Sequence, residues 1–192
     1  MGIPCSLDPL GSGNSEPYKR GQVLGEIANP QDANHQWFYV DVPKPGVYKS
    51  WLVGGGNTTC WCYIGCNGPG SAAGFIGKMY FNTKCHLRVG VGLQDQPSRL
   101  QVASWEDPNT WYDLVLCEAG TDASGGAGRG GYITVNRGLT FNNYFDIELE
   151  TNGNNGSNAT YCAGSAAKSV YNNYGAFDVN GYGKLEYIRS RP

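Results

Sequence analysis

The sequence predicts an all-β fold, an antiparallel β-sandwich of jelly-roll-like type with long Gly/Asn-rich loops and an N-terminal arm. Three observations lead there. Short runs of Val, Ile, Tyr, Phe and Trp recur at regular spacing, with Gly, Pro, Asn and Asp between them. Glycine fills 29 of 192 positions, about twice its usual share of about 7%. No apolar stripe of helical period extends beyond the turn or two that residues 163–170 could form.

The elements follow in order. Residues 1–36 read as an arm, because Pro4, Pro9, Pro17 and Pro30, with five glycines, break any long element; residues 22–27 are its one candidate strand. From Trp37 to the end, residues 37–192 form the β domain. Residues 37–42 are a strand, Pro43-Lys44-Pro45-Gly46 a turn, and 47–53 the next strand. Residues 73–81 and 85–92 read as a hairpin around Asn82-Thr83-Lys84, and 100–105 with 112–118 as another around Glu106-Asp107-Pro108-Asn109. Strands at 131–135, 144–151 and 183–189 complete a set of about nine. Between them, the long Gly- and Asn-rich stretches 54–72, 119–131 and 151–181 are the candidate functional loops, since connections beyond ~12–15 residues are uncommon in compact domains unless functional or disordered.

Composition narrows the function classes. A net charge of −2 with no basic stripe gives no electrostatic case for nucleic acid. No apolar run approaches the ~20 residues of a membrane span. The first ten residues lack the basic start and apolar core of a signal peptide, so maturation in the cytoplasm of the producing cell is expected. Seven cysteines are many for a reducing compartment. The cluster Cys60-Trp61-Cys62-Tyr63-Ile64-Gly65-Cys66 leaves three readings open: buried thiols, disulfides, or a metal site, although its tight C-x-C pair has no matching second ligand pair.

Catalytic patterns are absent. Asp146, Glu148 and Glu150 alternate with Ile147 and Leu149, so three carboxylates are expected on one strand face, the solvated side of a half-buried strand. A glycosidase needs acids across a cleft, which leaves only loop acids such as Glu118, Asp122 and Asp178. His35 and His86 form no triad with any serine, no Gly-x-Ser-x-Gly elbow occurs, and His86 is expected to face solvent beside Arg88. The run Gly125-Gly126-Ala127-Gly128-Arg129-Gly130-Gly131 lacks the Gly-Lys-Ser/Thr of a phosphate loop and leads into a strand. The chain is therefore expected to be non-enzymatic, with no catalytic residue, metal or cofactor.

The binding candidates are aromatics flanked by Asn, Gly or Ser: Trp61, Tyr63, Trp105, Trp111, Tyr161, Tyr171 and Tyr174. Planar rings stack on sugar faces, and Asn side chains satisfy hydroxyls as donor and acceptor together. The same residue types also anchor cores and subunit interfaces.

Pro45 to Gly56 reads Pro-Gly-x-Tyr-x-x-Trp-Leu-Val-Gly-Gly-Gly; then come Gly74-Phe75-Ile76-Gly77-Lys78-Met79-Tyr80, Val89-Gly90-Val91-Gly92 and the closing Asn180-Gly181-Tyr182-Gly183-Lys184-Leu185-Glu186-Tyr187-Ile188. In this order the motifs resemble the glycine-rich domain of phage tail-fibre, receptor-binding and related virion surface proteins, over roughly residues 37–189. The loop after Gly56 carries Cys60, Trp61, Cys62 and Tyr63 where such domains often hold long glycine runs. The resemblance implies a virion protein, a homo-oligomer with a trimer favoured, that docks on other virion proteins through its arm and contacts a host cell-surface glycan through its loops. The competing expectation is a purely structural role, as capsid decoration or in head-fibre or tail assembly, with the aromatics buried between subunits.

Overall fold

The computed structural model describes residues 16–28, 30–31, 35–56, 70–121, 128–139, 141–153 and 180–190. Ten strands form two antiparallel five-stranded sheets, and no helix occurs among the described residues. The strands are β1 Gln22–Ile27, β2 Gln36–Val42, β3 Gly46–Val53, β4 Gly74–Phe81, β5 Cys85–Val91, β6 Ser98–Ser104, β7 Trp111–Cys117, β8 Ile133–Val135, β9 Asn142–Thr151 and β10 Tyr182–Ser190. The first sheet runs β1-β10-β3-β4-β9 and the second β2-β5-β6-β7-β8. This is the sandwich that the strand spacing predicts.

Alternation within each strand builds the core between the sheets. Tyr48 and Leu52 of β3, Phe75, Met79 and Phe81 of β4, and Leu185 and Tyr187 of β10 meet Val40, Val42, Leu87, Val89, Leu100, Val102 and Val115 from the second sheet. On the outer side of the first sheet, Trp51, Val53, Ala72, Ile76 and Tyr182 form a smaller buried cluster. Fully burying one such large apolar side chain contributes about 1.5–3 kcal/mol, so the shared core dominates the stability of both sheets.

Three expectations are corrected by this topology. The supposed arm is partly sandwich: β1 pairs with β10 as an edge strand, and Ile27, Tyr18 and Leu24 supply the apolar surface that packs on the core. Residues 82–84 do not turn a hairpin. They carry the chain from one sheet to the other, since β4 pairs with β3 and β9 while β5 pairs with β2 and β6. A three-residue hairpin usually needs a residue in the left-handed region, and Asn82-Thr83-Lys84 has none.

The third correction concerns the acidic strand. In β9 the pairing jumps from Gly77↔Ile147 to Ile76↔Leu149, which leaves Glu148 as the extra residue of a bulge. Leu149 consequently packs with the outer cluster, and Glu150 comes opposite the core residue Phe75. The three carboxylates do not share one face; each meets a cation, Asp146 with Lys78 at 3.3 Å, Glu148 with Lys49 at 2.6 Å, and Glu150 with Arg137. The expected hairpin of β6 and β7 is present, with Ala103 opposite Trp111.

Candidate functional site

The register of β3, β4, β9 and β10 roots two of the long loops at one end of the sandwich, and β7 roots the third there. Val53 pairs with Gly74 and Tyr182, and Gly74 with Thr151, so residues 54–73, 152–153 and 180–181 begin or end side by side. Cys117 of β7 arrives at the same end, where Cys117 Sγ donates to the Leu52 carbonyl at 3.5 Å. The bases of the loops are tied together through their main chains. Gly70 N–H donates to Thr121 O at 3.0 Å, Gly131 N–H to Ser71 O at 2.9 Å, and Gly153 N–H to Gly131 O at 2.8 Å. The β5–β6 turn joins in: Gly55 N–H donates to Gln96 O, Asp95 N–H to Gly56 O, and Gly181 N–H to Gly92 O.

Glycine makes this platform because backbone must lie directly on backbone. A Cβ on Gly55 would run into the Leu93 carbonyl oxygen, and one on Gly153 into the Ser71 carbonyl oxygen, well inside the 3.0 Å that real Cβ atoms keep. The strand-into-glycine motif of β3 thus stands at the root of a clamp that gathers the loops.

The opposite end is built from side chains. Glu16 accepts from the Tyr187 hydroxyl, from Ser190 N–H at 2.8 Å and from the Arg20 guanidinium at 2.6 Å. The Tyr187 hydroxyl above all, then Arg20 and Ser190, holds the Glu16 carboxyl down to about 2. Tyr18 donates to Asp41 O at 2.7 Å and so ties the approach to β1 to the second sheet. Tyr18 and Tyr48 both meet the Tyr187 ring edge-on, at 5.6 and 5.3 Å.

A second surface covers the outer face of β2, β5, β6 and β7. Tyr39 pairs with Arg88, Arg88 with Gln101 and Gln101 with Asp113, one rung across four strands. The Arg88 guanidinium lies between two indoles, 4.5 Å from the Trp37 ring centre and 4.2 Å from that of Trp111. Gly90 makes room for this, since the Trp37 ring lies where a Cβ at that position would be. Beside Arg88, His86 Nδ1 is 2.7 Å from Asp41 Oδ1, and the His86 ring stacks on Trp105 at 4.6 Å. His86 is therefore held between two partners and does not simply face solvent.

Of the seven aromatic candidates, Trp105 and Trp111 lie at this second surface, on the β6–β7 connection and at the start of β7. Trp61, Tyr63, Tyr161, Tyr171 and Tyr174 fall outside the described residues, as do Asp122, Asp178 and the cysteines other than Cys85 and Cys117. Cys85 and Cys117 are buried free thiols; burial pushes Cys85 up to about 12 and raises Cys117 further, so neither is a nucleophile at neutral pH. Among the described residues no cluster of His, Cys, Asp or Glu is arranged to hold a metal.

Sequence reasoning passed over Trp37, Tyr39, Asp41, Arg88 and Asn109. The signal was present in β2, where Trp37, Tyr39 and Asp41 alternate with the core-facing Phe38, Val40 and Val42. Two aromatics on the outward face of a strand mark a surface with something to contact.

Comparison with known proteins adds nothing to this geometry. No family model, curated protein or solved structure matches the chain.

Proposed function

We propose that this chain is a non-enzymatic virion surface protein of a phage, a fibre or receptor-binding component that presents its Gly/Asn-rich loops to a host-surface glycan. The observation that carries the reading is polarity: the bases of the three long loops share one end, and the chain enters β1 beside Ser190 at the other. A presenting protein needs its contact segments gathered on a rigid base and its attachment segment out of their way. The glycine platform supplies the first, and the Glu16–Tyr187–Ser190 contact supplies the second. The motif resemblance points the same way. Oligomeric display, with a trimer favoured, would raise the avidity of loops whose single-site affinity is modest.

The test is binding of the labelled protein to an array of bacterial envelope polysaccharides. The parent is compared with a variant in which residues 57–69 and 154–179 are replaced by short Gly-Ser linkers. Selective binding by the parent, lost in a variant that keeps its β circular dichroism, is expected. No binding by a folded oligomer would overturn the receptor reading and favour decoration or assembly without a host ligand.

A further inference from the structure

We infer that the outer face of the second sheet carries a separate site for an acidic sugar, with Arg88 as the residue that takes its carboxylate. Arg88 is immobilised without being neutralised. Its Nε donates to Gln101 Oε1 at 2.7 Å, Gln101 Nε2 donates to Asp113 Oδ1 at 2.8 Å, and Arg99 holds the other Asp113 oxygen at 3.2 Å. With Trp37 and Trp111 on its two faces, the guanidinium plane is fixed. No acid pairs with Arg88 among the described residues, and its two Nη groups have no protein acceptor there. A fixed guanidinium with a free fork is the arrangement that binds a carboxylate through two parallel hydrogen bonds.

The fork borders an open cavity of about 380 Å³, whose lining includes Tyr39, Asp41, His86, Asn109 and Trp111. That volume lies at the small end of the ~300–1,000 Å³ of small-molecule sites. Tyr39 is 63% exposed and offers a ring face to an apolar sugar face. Asp41, in the same cavity, decides the ligand class. Its carboxylate repels a polyanion such as nucleic acid and asks for hydroxyl donors, so the ligand carries one carboxylate and several hydroxyls: a uronic or sialic acid. The Asn109 side chain, which has no hydrogen bond among the described residues, adds a donor and an acceptor at the rim.

The site stands apart from the loop end, so its test separates from that of the loops. Methyl glucuronoside, methyl galacturonoside and N-acetylneuraminate are titrated by isothermal calorimetry and ligand-observed NMR, with methyl glucoside as the neutral comparison. At least one acidic sugar is expected to bind about tenfold or more tightly than methyl glucoside, in the parent and in the loop-replaced variant alike. Arg88→Gln is expected to remove that preference, and Tyr39→Ala to weaken both classes. Because Arg88→Gln could loosen the two indoles, the Arg88 Nε–H resonance is also followed in the parent; it should shift on saturation with the acidic sugar. Equal affinity for acidic and neutral sugars, an unmoved Arg88 resonance, full affinity in a folded Arg88→Gln protein, or loss of binding with the loops would each overturn the assignment.

Discussion

The two ends of the sandwich are held by different chemistry. At the loop end, main chain packs on main chain: Gly54, Gly55, Gly70, Gly120, Gly131 and Gly153 bring peptide groups together where side chains would keep them apart. At the other end, Glu16, Tyr18, Tyr48 and Tyr187 close the sandwich with rings and a carboxylate. The difference teaches where each end is vulnerable. Neutral amide contacts do not titrate but tolerate no added atom. The carboxylate end, closed by side chains, responds to protons.

The strongest way to break the comparison is to add a methyl group at the loop end. Gly55→Ala and Gly153→Ala each drive a Cβ into a backbone carbonyl that cannot rotate away. Each is expected to destabilise the fold by about 3 kcal/mol, the top of the overpacking range, in chemical denaturation. A cost below about 1 kcal/mol would mean that the loop bases are not clamped as described.

Gly90→Ala sharpens the point, because there the wall is the Trp37 ring and not backbone. The ring can tilt, so a loss of about 1–2 kcal/mol is expected, together with changed Trp fluorescence as Trp37 moves off Arg88. Equal costs at Gly90 and Gly153 would erase the distinction between walls that yield and walls that do not.

At the tyrosine end, the Tyr48 hydroxyl is buried with no partner among the described residues, and burial raises its phenol well above the ordinary value. Removing an unsatisfied polar atom relieves its desolvation, so Tyr48→Phe is expected to stabilise by up to about 1 kcal/mol. A loss of similar size would show that the hydroxyl has a partner in solution.

The smallest effect is local. The Glu16 carboxyl is held down to about 2, below its usual 4.5, by Tyr187, Arg20 and Ser190. A depressed acid stabilises the folded form above its unfolded value and loses that contribution as pH falls through the folded one. Docking of the segment before β1 should therefore be complete above about pH 4.5 and fade as the pH drops toward 2. Limited acid proteolysis near Arg20, followed from pH 5 to pH 2, should show increasing cleavage, with little pH dependence in Glu16→Gln. A flat profile in the parent would remove the carboxylate from the latch.

Much of this molecule was legible because strands announce themselves locally. The alternation of Phe38, Val40 and Val42 with Trp37, Tyr39 and Asp41, and the run from Val47 into Gly54, reflect a period-2 backbone that any reader of the residues meets. Partner choice was not legible. Asn82-Thr83-Lys84 is compatible with a hairpin or with a crossing between sheets, and only the packing of Phe81 and Cys85 into one core from opposite sheets selects the crossing. The Glu148 bulge was equally hidden, since a one-residue slip leaves the sequence pattern intact while it reverses which side Leu149 and Glu150 face.

The sequence by itself determined the fold class and most of the strands, because these depend on local propensity, glycine content and turn residues. Only the tertiary structure decided that the loops share one end, that part of the presumed arm is an edge strand, and that Arg88 lies between two indoles above a cavity. Each of those is a contact between residues far apart in the chain, formed when two sheets bury one core, and no local pattern encodes which distant residues will meet.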